Sequence, residues 1–124
     1  MRSVNRTTLM GHVVAKPELK KTKSGKTVTS FALATNNEWL DADGNLQKSV
    51  DFHRIVSWDN LAEITAKYLD KGSPIYLEGR LSNRRYEGKN KIQYFVTEVN
   101  ASSIHILKWK NENKAVETEE LAVA

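Results

Sequence analysis

Val50-Asp51-Phe52-His53-Arg54-Ile55-Val56-Ser57-Trp58 is the stretch around which the chain is organised. It is rich in β-branched and aromatic residues, as strands are. With the two-residue period of a strand, Phe52, Arg54, Val56 and Trp58 share one face, and Asp51, His53, Ile55 and Ser57 the other. An arginine between two aromatic rings suits a sealed core poorly, because a guanidinium keeps its charge. It suits an exposed surface that stacks rings on bases and pairs phosphates. It also suits a half-buried strand whose arginine snorkels at the edge. The strand alone leaves both readings open.

Upstream, residues 27–36 form a strand with Phe31 and Leu33 on one face, followed by Trp39 and the turn-rich loop Asp41–Asn45. Before it, residues 4–14 form a strand interrupted by Gly11, the mark of a bend that lets one strand serve two sheets. That strand ends at Lys16-Pro17-Glu18, and Thr22–Lys26 reads as a turn. Downstream, Leu61, Ile64, Tyr68 and Leu69 recur at helical spacing, with Asp59 or Asn60 as the expected cap, Asn60 and Glu63 at capping-box spacing, and Gly72 after the end. Strands over 75–86 and 92–100 follow, joined by the turn Glu87–Lys91, and extended chain continues to Trp109.

Short curved strands with a single helix between the third and fourth predict an all-β fold, a five-stranded Greek-key barrel of the OB type. SH3-like barrels lack that helix, and a sandwich needs about seven strands. The expected organisation is one domain over residues 1–109 and a short tail, 110–124, with no periodic pattern.

Charge adds a direction. The chain carries +4, but its last fifteen residues hold two lysines against four glutamates, leaving +6 on the first 109. Lys16, Lys20, Lys21, Lys23 and Lys26 form one cluster, and Arg80, Arg84, Arg85, Lys89 and Lys91 a second. Such runs are often solvated loops; close to aromatics they point to a polyanionic partner. There is no cysteine, no apolar leader and no run of membrane-spanning length, so a cytoplasmic protein away from membranes is expected. Gly25-Lys26-Thr27 resembles the end of a phosphate loop, but Lys20 stands where its first glycine belongs. His12, His53 and His105 show no metal-ligand spacing, and no nucleophile elbow is present. No catalytic residue, metal or cofactor is expected.

The residues also carry a resemblance. Leu9–Gly11, Pro17-Glu18-Leu19, Phe31–Thr35, Phe52–Val56, Tyr68–Ser73, Tyr76–Leu81, and Tyr94 with Thr97-Glu98-Val99 stand in an order and spacing similar to the bacterial single-stranded DNA-binding protein family, over about Val4 to Leu107. The resemblance implies an OB-fold homotetramer that coats single-stranded DNA in replication, recombination and repair. By position it places base-stacking rings at Trp39, Phe52, Trp58 and Tyr86. Phosphate contacts are expected at Lys20, Lys21, Arg54, Arg80, Arg84 and Arg85, with the other lysines of 16–26 in support, and subunit contacts at His53 and Tyr76. The chain departs from the family at its end. Glu117–Ala124 is acidic and then apolar, without the family's long linker or Pro-Phe tip, so recruitment of replication and repair enzymes through that tip is not implied. The competing reading is a tailless primosomal OB protein, dimeric and an assembly factor.

Overall fold

Thr, Val, Ile and aromatic residues recur along the long strands, where branched or broad side chains pack well on a pleated surface. The computed structural model describes residues 2–107. Its elements are β1 (Thr7–Val13), β2 (Glu18–Lys21), β3 (Thr27–Leu40), β4 (Leu46–Trp58), α1 (Asp59–Tyr68), β5 (Pro74–Glu87) and β6 (Gln93–Ile106). Trp109 and the 110–124 tail, with the boundary expected between them, lie outside the described residues. Among the described residues no helix is long and apolar enough to cross a membrane.

The strands hydrogen-bond in the order β1-β5-β6-β4-β3-β2, and β1 also pairs with β3. That pairing closes a five-stranded barrel of β1, β5, β6, β4 and β3. Every neighbouring pair is antiparallel except β4 with β6. The helix falls between the third and fourth barrel strands, as the sequence predicts. The addition is β2, a four-residue strand held on the outside by β3. Gly11 is where β1 changes partners: Thr7–His12 pair with β5, His12 and Val13 with β3. A Cβ at Gly11 would collide with the Ala34 carbonyl, so the crossing needs a bare backbone.

Alternation decides what each strand buries. Phe31 and Leu33 of β3, Ile55 of β4, Ile75 and Leu77 of β5, and Val99, Ile104 and Ile106 of β6 form the core, with Leu61 and Leu69 from the helical segment. Tyr68, by contrast, turns outward, with Lys67 Nζ 5.2 Å from its ring centre. Buried polar groups on this side satisfy one another. The Thr29 and Ser57 hydroxyls share a hydrogen bond, and Ser57 Oγ donates to Thr65 Oγ1 at 3.3 Å, tying β3, β4 and α1 together.

The start of the helix differs from the expectation. Trp58 flanks its start with extended backbone and no side-chain cap, while Asp59 adopts a left-handed φ of 54° as the first helical residue. Asn60 thus lies inside the first turn and forms no capping box with Glu63. At the other end Lys16 Nζ donates to the Ala66 and Leu69 carbonyls at 3.0 and 3.1 Å, complementing the negative end of the helix dipole. Lys16, one of the lysines expected to support phosphate contacts, thus caps the helix end.

Candidate nucleic-acid interface

The aromatic face of β4 points out of the barrel. Ile55 and Ser57 are fully buried, whereas Phe52 on the opposite face is 66% exposed and the Arg54 side chain 49%. Val56 is buried and Trp58 half-buried, so this face has an apolar floor at one end and open rings and charge at the other. The register sets small residues beside the large ones: Ser30 opposite Val56, Ala32 opposite Arg54 and Ala34 opposite Phe52. The result is a trough. Lys20 joins it because β2 pairs it with Val28, which in turn pairs with Trp58. An open cleft of about 400 Å³ brings together Lys20, Arg54, Trp58 and Arg84.

Arg84 arrives from β5 through a residue to which the sequence reading gave no role, Glu98 of β6. The parallel pairing of Ile55 with Val99 sets Glu98 beside Arg54, and the β5 register sets it diagonally from Arg84. Arg54 Nε donates to Glu98 Oε2 at 2.8 Å, and Arg84 Nε to Oε1 at 3.2 Å. The glutamate side chain is only 10% exposed, each arginine 49%. Burial pushes the Glu98 carboxyl up; hydrogen bonds and charge from Arg84 and Arg54 outweigh it and hold the group below the usual glutamate range.

Tyr86 lies two residues beyond Arg84 on the same strand face and is exposed. Its ring stacks on Tyr94 of β6, with centres 5.4 Å apart and planes 25° from parallel, and the Arg84 guanidinium carbon lies 5.9 Å from its centre. Tyr94 is legible once the turn over 87–91 is recognised, because the hairpin then pairs it with Tyr86.

The remaining expected contacts lie elsewhere. Lys21 pairs with Thr27, on the strand face opposite Lys20. Arg85 faces away from Arg84 and sits 5.3 Å from the ring centre of Phe95, which is 71% exposed. Arg80 lines a separate open groove with Asn5, Arg6 and Asn100. Trp39 pairs with Gln47 on the face that Phe31 and Leu33 use inside the barrel; the β3–β4 ribbon has left the barrel there, and the indole is exposed. His53 is partly buried beside Leu33 and shares a 2.9 Å hydrogen bond with Thr35 Oγ1, an internal partner. Tyr76 is on the outer face of β5 opposite exposed Met10, its hydroxyl donating to Glu78 Oε2 at 3.0 Å and its ring 6.0 Å from His105. Of the twelve expected site residues, Lys20, Arg54, Trp58 and Arg84 share the trough, with Phe52 and Tyr86 flanking it.

Comparison with known proteins bears on this surface. The family described as "Single-strand binding protein family" matches residues 4–107. A Staphylococcus aureus single-stranded DNA-binding protein is 44% identical over 110 residues, 89% of this chain and 69% of that one. Single-stranded DNA-binding protein 1 of Chlorobaculum tepidum is 39% identical, over 89% of this chain and 68% of its own length. A Neisseria meningitidis counterpart is 35% identical, over 90% and 64%. The chain thus spans about two thirds of the length of these relatives. Among solved structures, a Plasmodium falciparum single-strand binding protein in complex with single-stranded DNA superimposes with a TM-score of 0.78 at 33% identity, over 87% of this chain and 98% of that one. The chain belongs to the single-strand binding protein family.

Proposed function

We propose that the protein binds single-stranded DNA without regard to base sequence and without a catalytic step, serving replication, recombination and repair from the cytoplasm, at the nucleoid. The observation that carries this reading is the trough itself: Phe52 and Trp58 on one open strand face, with Arg54 between them and Arg84 alongside. Every base has a π-face, so stacking on rings tolerates any sequence, and the guanidiniums meet the backbone common to all. Duplex DNA hides its base faces inside the helix and so offers the rings of this surface nothing to stack on. Fluorescence titration with poly-dT, poly-rU and duplex DNA tests the reading. Tight binding to poly-dT with tryptophan quenching is expected, and equal or tighter binding to duplex would overturn it.

We infer further that the protein works as a homotetramer. One barrel offers a path of only about 4–16 nucleotides, and several barrels on one strand gain effective concentration. Along Thr7–Met10, β1 pairs with β5 alone and leaves its other edge open among the described residues. Such an edge can pair with a second copy, and Tyr76 and Met10 lie on the adjoining outer face. The internal bond from His53 to Thr35 supports an indirect part for His53, through the β3–β4 ribbon. Sedimentation at micromolar concentration decides: a monomer would overturn the assembly, and a dimer would favour the primosomal type.

A further inference from the structure

A carboxylate in the middle of a trough for a polyanion repels the ligand's phosphates, so Glu98 calls for a compensating role. Its geometry supplies one. Each carboxylate oxygen holds the Nε of a different arginine, and the two arginines come from strands that are not sheet neighbours. Only Nε is used in either bond. The Nη nitrogens of Arg54 and Arg84 make no hydrogen bond among the described residues, and half of each side chain is exposed to the trough. Without Glu98, two long side chains would sample many rotamers on an open face. With it, they are fixed before a ligand arrives, which lowers the ordering needed on binding.

We propose that Glu98 is a positioning residue that holds Arg54 and Arg84 as a two-arginine clamp for one phosphodiester of the bound strand. This rests on the single-stranded DNA reading above. The rings fall at matching intervals: Phe52 is two residues from Arg54 and Tyr86 two from Arg84, about 6.6 Å along a strand in each case. A base stacked on either ring therefore has a guanidinium within reach of its own backbone. The clamp carries +1 in sum, two guanidiniums less one carboxylate, so its grip depends on geometry more than on charge.

That balance gives a test in which the two explanations predict opposite signs. Glu98→Gln keeps the shape and raises the trough charge by one, but its amide nitrogen cannot accept from an arginine, so one guanidinium is released. If Glu98 positions, affinity for a dT oligonucleotide at 0.1–0.2 M salt falls about tenfold, as for loss of one charge-assisted contact, despite the added positive charge. If Glu98 merely dilutes charge, affinity rises and the slope of log K against log salt steepens by about 0.7. Equal or tighter binding by the variant overturns the proposal. A double-mutant cycle gives a readout that simple destabilisation would not move: Arg54→Lys should weaken binding less in the Glu98→Gln background than in the wild type, and strict additivity also overturns the proposal. If Glu98→Gln does not fold, Arg54→Lys, Arg84→Lys and their combination carry the test. One clamp gives a combined loss smaller than the sum, and independent contacts give the sum. Failure of the wild-type protein itself to bind the oligonucleotide would instead strike at the DNA-binding reading.

Discussion

Replacing Phe52 with alanine separates a ring that binds from a ring that packs. Two thirds of its surface faces solvent, and the residue across the register is only Ala34. Full burial of a phenylalanine is worth about 1.5–3 kcal/mol, so the covered third contributes roughly 0.5–1 kcal/mol to the fold. In a domain of this size that lowers the melting temperature by only about 2–8 °C. Loss of one base stack is larger, about 1–3 kcal/mol, a roughly 5- to 150-fold weaker Kd. Fluorescence anisotropy with a labelled dT oligonucleotide and a thermal melt on the same samples measure both quantities. A core residue should behave in the opposite way: Leu33→Ala, fully buried, should lose about 2–5 kcal/mol of stability. Phe52→Ala that binds normally, or melts as far below wild type as Leu33→Ala, would refute the assignment of the outer face.

The two basic clusters should divide by strand face. Lys20→Met should make the slope of log K against log salt shallower by about 0.7, Lys21→Met should leave it unchanged, and Lys16→Met should lower stability by about 0.3–1 kcal/mol through the exposed helix end. Acid should destabilise the protein in part through Glu98. Its carboxyl is held below the usual glutamate range, so its contribution is present above the unfolded-state value and is lost as pH falls through that value to the folded one. Urea midpoints between pH 6 and 3 should therefore fall more for wild type than for Glu98→Gln, and parallel curves would deny the coupling. Gly11→Ala should lose about 1–3 kcal/mol or fail to fold, because the methyl meets the Ala34 carbonyl and not a movable side chain; a variant with unchanged melting temperature would show that β1 can cross elsewhere.

Much of this is legible before any coordinates. The two-residue period of β4 separates Ile55 and Ser57 from Phe52 and Arg54, and the structure buries the first pair and exposes the second. The bend at Gly11 and the single helix between strands define the barrel. The short strand β2 escapes because Glu-Leu-Lys-Lys has no alternation to bury; the neighbouring edge of β3 makes it a strand. Charge counting groups Lys20 with Lys21 and Arg84 with Arg85, although successive residues on a strand point opposite ways. Glu98 escapes for another reason: its two partners lie 44 and 14 residues away, and nothing local in Thr97-Glu98-Val99 reveals a parallel neighbour. Trp39 shows the limit of a face argument, since the side of β3 that is interior for Leu33 is solvent once the ribbon leaves the barrel.

The only parallel contact in the sheet among the described residues, β4 with β6, also has a kinetic consequence. The hairpins β3–β4 and β5–β6 join neighbours in the chain and need close only short loops, events of microseconds. Their rings come with them: Phe52 and Trp58 on one, Tyr86 and Tyr94 on the other. Arg84 meets Glu98 within the second hairpin, but Arg54 joins them only when the hairpins dock across the intervening helix, a closure with a larger loop entropy. A folding chain should thus display stacking rings before it has a charged trough. In stopped-flow refolding, the tyrosine and tryptophan signals should recover ahead of salt-sensitive capture of oligo-dT, whereas simultaneous recovery would mean that hairpin formation and docking are one event.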